Sequence, residues 1–300
     1  MRAYLELVRL PNVFTAMADI LLGFLLTHSR LEPWPEFAIL LAASSVLYLS
    51  GIVLNDYFDR EQDARERPFR PIPAGRVGAH TALGLGLGML AAGAALGWVA
   101  AAVSGDLRPG IVATLLAGAV ILYDGAAKQT PLGPLVMGAC RMLNVLLGMS
   151  VSLGPWTAPY WVVAGGIGLY IVGVTIFAKS EARESGRLQL TTGVVVMLCG
   201  MAAVASTPGW ATGGEWPAFS VRSNWYVFWA LFGMLIGYRC LRAVFDPRPA
   251  LVQAAVRNCI FSLVFIDAAA CLAAQEMFWG VVILLLLVPT LLAGRWIDST

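Results

Sequence analysis

The chain has 300 residues, 59% of them hydrophobic and 13% charged, with a mean hydropathy of +0.75 and a formal net charge of +2. Soluble domains average about 25% charged residues, so this composition excludes a separate soluble domain and marks a membrane protein. No nucleic-acid partner is expected. Apolar runs of about 20 residues, enough to cross about 30 Å of hydrocarbon, recur from end to end. They predict spans at 11–27, 36–54, 79–103, 110–127, 133–153, 158–178, 188–206, 224–244, 253–273 and 278–294. The runs are long, continuous and rich in Leu, Ala, Gly and Val, as helices are, whereas barrel strands would be short and alternating. The expectation is an all-α, polytopic membrane protein forming a single domain over 1–300.

Arg2, Glu6 and Arg9 precede span 1, which has no small-residue cleavage site and reads as a retained helix. Cations then gather on alternate loops. Arg60, Arg65, Arg67, Arg70 and Arg76 follow span 2, Lys128 follows span 4, Lys179, Arg183 and Arg187 follow span 6, and Arg239, Arg242 and Arg248 follow span 8. The opposite loops hold Arg30, Arg108 and Arg222. The positive-inside rule therefore predicts a cytoplasmic N-terminus and puts the loops after even-numbered spans in the cytoplasm. Cys140, Cys199, Cys240, Cys259 and Cys271 form no CxxC pair and read as packing residues. His28 and His80 fall at opposite membrane faces in this topology, which argues against a His-based metal site. Segment 207–223, with Trp210 and Trp216, reads as an interfacial aromatic cap.

Segment 55–78 is different in kind, packing three aspartates, two glutamates and five arginines between two spans. Asn55, Asp56, Asp59 and Asp63 stand at i, i+1, i+4 and i+8. If span 2 stays helical they fall within a sector of about 100°. Carboxylates sharing one face repel unless a cation stands before them, and oxygen-only ligands select hard ions such as Mg²⁺. The alternative is a solvated acidic face paired with Arg60, Arg65 and Arg67. Downstream, Arg67-Pro68-Phe69-Arg70-Pro71-Ile72-Pro73-Ala74-Gly75-Arg76 supplies cations on a backbone that three prolines are expected to keep extended. Arg70 suits bidentate binding of phosphate oxygens. Together these are the outline of a Mg²⁺–diphosphate site.

These residues resemble the first motif of the UbiA superfamily of intramembrane prenyltransferases, NDxxDxxxD followed by RPxxxG, here Asn55, Asp56, Asp59, Asp63 and Arg70 to Gly75. The resemblance implies a nine-helix bundle around a central cavity, to which span 278–294 would be an extra C-terminal addition. It also implies that Asp56, Asp59 and Asp63 are metal-linked and catalytic, with Asn55 and Arg70 assisting on the substrate. Tyr123-Asp124-Gly125-Ala126-Ala127-Lys128 looks like the family's tyrosine-and-lysine element. Lys128 then binds phosphate, though it could also be a positive-inside anchor or pair with Asp124 at i, i+4.

Arg141 and Asn144 lie inside span 5, where a charge normally faces a cavity or a partner, and are expected to contact substrate. The family's second, Asp-rich motif is replaced by Lys179-Ser180-Glu181-Ala182-Arg183-Glu184. Glu181 and Glu184, at i, i+3, are the expected second metal-binding and catalytic pair, with Lys179 on the substrate. The substitution resembles an outlying, EboC-like branch. Asp267, deep in span 9, fits an acceptor contact, a helix-to-helix hydrogen bond or a protonated acid.

The implied reaction is Mg²⁺-dependent transfer of a prenyl group from a prenyl diphosphate to an unidentified acceptor. It passes through a carbocation that Tyr57, Phe58, Tyr123, Tyr170 or Phe177 could face. Two other readings compete. Asp124 to Lys128 also resembles the start of the CDP-alcohol phosphotransferase motif, but Thr130 to Leu153 lack its remaining acids. A non-catalytic or transport-type protein retaining the fold is the other.

Overall fold

The computed structural model describes residues 2–9, 12–179, 186–209 and 224–293. All regular elements among them are helical. They are α1 (Arg2–Val8), α2 (Val13–Thr27), α3 (Trp34–Phe58), α4 (Arg60–Glu66), α5 (Ala79–Ser104), α6 (Arg108–Leu122), α7 (Gly133–Met149), α8 (Ala158–Ala178), α9 (Arg187–Ser206), α10 (Trp225–Phe245), α11 (Pro249–Cys271), α12 (Met277–Leu285) and α13 (Leu287–Ala293). Each apolar run of the sequence falls on a helix. Seven helices among the described residues have the length and apolarity to cross a membrane, while the first, fifth and last runs give shorter apolar helices.

The short helices have a packing explanation. The 15 residues of α2 extend only about 22 Å, but α2 lies against α3, α7 and α11 and is buried along nearly its whole length. Backbones touch where it crosses α7: a Cβ on Gly23 would lie 2.2 Å from the Val145 carbonyl oxygen, and one on Gly148 would lie 2.6 Å from that of Ile20. The other helices follow around this pair, with α3 on α5, α5 on α6, α6 on α7, α7 on α8, α8 on α9, α9 on α10 and α10 on α11.

Small residues set the closest of these pairings, as expected where lipid removes the hydrophobic drive between helices. On α8 and α9, Gly166 and Gly173 face Gly200 and Gly193. A Cβ on Gly200 would sit 2.5 Å from the Tyr170 nitrogen. Gly200→Ala is therefore expected to cost about 1–3 kcal/mol through overpacking, read as a fall in melting temperature in detergent, whereas Gly165→Ala, which meets nothing within 4 Å, should be near neutral.

The 25 residues of α3 extend about 37 Å, longer than the hydrocarbon layer, so its last turn carries Asn55 and Asp56 out of the apolar zone. The helix breaks only at Asp59, and α4 resumes at once, with the Asp63 N–H donating to the Asp59 carbonyl at 2.8 Å.

The segment after α4 is not extended as expected. It is a run of turns closed by the Ala74 N–H to the Arg70 carbonyl (2.9 Å) and the Arg76 N–H to the Pro71 carbonyl (3.0 Å). Proline's fixed φ suits turn positions as well as extended ones, and Gly75 supplies the left-handed residue, at φ +69°. Ile72 and Val77 then pack with Leu7, Val53 and Ala82 in a small apolar cluster that buries the turns against α1, α3 and α5.

Candidate functional site

That cluster fixes Arg70, which is buried beneath it. Its Nη1 donates to Asp63 at 2.5 Å and to Asp56 at 3.3 Å. Asp56 is also held by Arg9, whose Nη2 donates to Oδ1 at 2.5 Å. Arg9 occupies the left-handed region at φ +44°, a conformation costing a non-glycine residue about 1–3 kcal/mol that its ion pair with Asp56 offsets. Burial draws the Arg9 guanidinium below its ordinary pKa, with Asp56 opposing that shift, and the group remains a cation.

Asp59 pairs with Lys128. Lys128 follows a π-helical turn, Tyr123–Ala127, closed by its own N–H on the Tyr123 carbonyl at 2.9 Å. Such turns interrupt α-helices at functional positions. Here the turn redirects Lys128 toward α3 and leaves Asp124 to accept from Asn55 Nδ2 at 3.0 Å. The i, i+4 pairing of Asp124 with Lys128 allowed by the spacing is thus replaced by two tertiary contacts.

The predicted shared face of Asn55, Asp56, Asp59 and Asp63 is present, and its partners are Arg9, Arg70 and Lys128. Arg60 instead lies over the Tyr57 ring, 4.6 Å from its centroid, and reaches Glu61 at 3.5 Å. Among the described residues no three His, Cys, Asp or Glu side chains converge on one point, so these residues alone form no ready-made metal cage. The donor set nevertheless fits Mg²⁺ as that ion usually meets phosphates, through one or two carboxylates with the remaining positions filled by substrate oxygens and water.

A cavity of about 370 Å³ begins at this cluster and runs inward. Arg9, Asn55 and Asp124 line its mouth, and Leu47, Leu116, Ile171 and Leu263 give it an apolar middle. Of the five aromatic residues considered for a cation, Tyr123 lines the cavity. Tyr170 is buried, donating to the Cys259 carbonyl at 2.9 Å, and Phe177 is enclosed in the core. Tyr57 and Phe58 pack edge to face at 5.3 Å near the surface. Tyr48, not singled out in the sequence, is on the cavity wall.

Arg141 and Asn144 also line the cavity, at its deeper end. Arg141 Nε lies 2.9 Å from Asp19 Oδ2, an ion contact without hydrogen-bond alignment. Asn144 Nδ2 donates to Asp19 Oδ2 at 2.8 Å and to the Ala16 carbonyl at 3.0 Å, while Ser44 donates to Asn144 Oδ1 at 2.6 Å. Asp267 lies against Asp19, off the cavity wall.

Arg9 and Asp19, like Tyr48, are residues of this region that the sequence analysis does not single out as site residues. Arg9 was visible only as a topological charge. Asp19, a carboxylate inside span 1, carried the same intramembrane signal that singled out Arg141 and Asp267. Lys179 is exposed at the end of α8. Glu181 and Glu184, and likewise Trp210 and Trp216, lie outside the described residues.

Fold and site together define a polytopic helical membrane protein with a cluster of carboxylates and cations at the mouth of an apolar cavity. Residues 16–249 match the UbiA prenyltransferase family, and the chain belongs to that family. Digeranylgeranylglyceryl phosphate synthase of Methanopyrus kandleri is 35% identical over 161 residues, covering 52% of this chain and 57% of that protein. Its namesake from Ignicoccus hospitalis is 32% identical over 184 residues, covering 61% and 57%. The chain thus spans little more than half the length of these curated relatives.

A solved structure of a digeranylgeranylglyceryl phosphate synthase in membranes superposes with a TM-score of 0.66 over 91% of this chain and 97% of the other, at 19% identity. A UbiA homolog from Archaeoglobus fulgidus bound to GPP and Mg²⁺ gives 0.63 over 94% and 99%, at 12% identity. These likenesses establish the fold.

Proposed function

We propose that the chain transfers a prenyl group from a prenyl diphosphate, bound with Mg²⁺ at the cavity mouth, to an acceptor inside the cavity. The observation that carries this reading is the meeting of Arg9, Arg70 and Lys128 with Asp56, Asp59 and Asp63 at the entrance to an apolar cavity. An arriving diphosphate exchanges partners with these ion pairs. The three cations turn to phosphate oxygens, which frees the three carboxylates, the residues that would hold Mg²⁺. Asn55, tied to Asp124, holds the end of α3 in register. Mg²⁺ bound with the diphosphate would supply neutralisation of the leaving oxygens.

The allylic carbon–oxygen bond then breaks with its electron pair on the diphosphate. Apolar walls keep water from the allylic cation, and the rings of Tyr48 and Tyr123 offer it negative faces. The acceptor's nucleophile forms the new bond and gives up a proton. Glu181, Glu184 and Lys179 are assigned to the far side of the diphosphate, and Arg141 and Asn144 to the acceptor end. The cation-rich loops support a cytoplasmic N-terminus and site, on a single domain. The names of the relatives make a glyceryl phosphate ether the reference acceptor to assay.

Purified protein in nanodiscs, given geranylgeranyl diphosphate, Mg²⁺ and lipid-extract fractions as acceptor source, is expected to release inorganic diphosphate, and to stop when EDTA is added. Donor binding with no release in any fraction would favour a non-catalytic protein that kept the fold.

A further inference from the structure

The polar cluster at the deep end of the cavity has a charge balance that bears on the acceptor. The positive charge of Arg141 is met by Asp19 at 2.9 Å, and Asp267 stands behind Asp19 with neither of its oxygens hydrogen-bonded to a described residue. One guanidinium facing two carboxyl groups has no net positive charge to offer an anion. A phosphate or carboxylate seated there would bring an uncompensated charge into a buried space, at a desolvation cost that nothing repays.

Hydrogen-bonding capacity gives the complementary half. Ser44 and the Asn144 amide are already engaged with one another, with Asp19 and with the Ala16 carbonyl. Arg141 is 8% exposed, borders the cavity and lies 5.8 Å from the centroid of the Tyr48 ring. The forked end of its guanidinium donates to no described residue. A group rich in donors, electrically balanced and facing apolar space suits an oxygen that accepts hydrogen bonds and carries no charge. Tyr48 lies seven residues before Asn55 on the same face of α3, so this position is about 10 Å deeper than the diphosphate end.

We propose that Arg141 anchors an uncharged oxygen of the acceptor, a hydroxyl, ether or carbonyl, and that two positioning residues support it: Asp19 neutralises and aims Arg141, and Asn144 holds Asp19 in place. The acceptor of this chain is therefore a neutral polar lipid, not the anionic glyceryl phosphate that the relatives' names suggest. The inference rests on the prenyl-transfer reading and narrows it.

The test compares 1-O-hexadecylglycerol with its phosphate monoester as ligands of the protein in neutral-lipid nanodiscs. Wild type is expected to bind the neutral ether about tenfold more tightly. Asp19→Asn, which removes the carboxylate in contact with Arg141, should swing the preference toward the phosphate by about 30-fold. Arg141→Gln should weaken the neutral ether about tenfold and leave Mg²⁺-dependent binding of geranylgeranyl diphosphate within about twofold of wild type.

A wild-type preference for the phosphate, equal affinities, or binding of neither ligand would overturn the proposal, and the wild-type comparison decides even if a variant does not fold. So would an unchanged preference in a folded Asp19→Asn protein. Donor binding is read separately on the same samples. Its failure alone would count against the transfer reading and not against the neutral-headgroup preference.

Discussion

Asp56→Asn is expected to lower kcat/KM for prenyl transfer by about 10²–10³-fold, the scale seen when one preorganised electrostatic contact to a developing charge is removed. Asp56 is 3% exposed and sits between two guanidiniums, with Arg9 at 2.5 Å and Arg70 at 3.3 Å. Asparagine keeps its shape and one acceptor oxygen but removes the charge. Arg9 and Arg70 then lose the partner that aims them, and on the proposed reading Mg²⁺ would lose a hard oxygen ligand. Glu61→Gln is the internal control, because Glu61 is exposed and its contact with Arg60 is a surface pair at 3.5 Å, the kind worth about 0–1 kcal/mol. Initial rates of diphosphate release separate the two variants. A loss in Asp56→Asn no larger than that in Glu61→Gln would make the buried carboxylate merely structural.

The second large effect is on stability. Asp19 is fully buried and Arg141 nearly so, and removing one member of such a pair leaves an unpaired charge, typically a cost of about 3–5 kcal/mol. Asp19→Leu alone and Arg141→Met alone should each destabilise the protein by that order. The double variant should recover most of the loss, since apolar replacement of a whole buried pair is often neutral or favourable. Unfolding in detergent, followed by intrinsic fluorescence across the four proteins of the cycle, measures this. Additive losses would mean that water in the cavity solvates both groups independently.

Much of this architecture is legible in the sequence because a bilayer leaves the chain few choices. Backbone polar groups must be satisfied internally, so each long apolar run becomes a helix, and all ten runs fall on helices in the structure. The acidic face at Asn55, Asp56, Asp59 and Asp63 is equally local, needing only that α3 continue nearly unbroken into α4. What the sequence does not carry is the pairing. Lys128 meets Asp59 and not Asp124 because a π-helical turn shifts the register at Tyr123–Ala127. Arg9 meets Asp56 across 47 residues through a single left-handed residue. The segment with three prolines folds into turns because Ile72 and Val77 find an apolar cluster formed by three other elements. Asp19 could have been found, since a carboxylate within an apolar span signals a partner elsewhere, but its partner, on α7, emerges only from packing.

The central claim is that the cavity mouth holds a prenyl diphosphate through Mg²⁺, and titration of geranylgeranyl diphosphate into the purified protein tests it most directly. Binding is expected with Mg²⁺ present, to disappear in EDTA, and to weaken by at least about tenfold in Asp59→Asn, which removes one carboxylate and releases Lys128. Binding of equal strength in EDTA and in Asp59→Asn would contradict it.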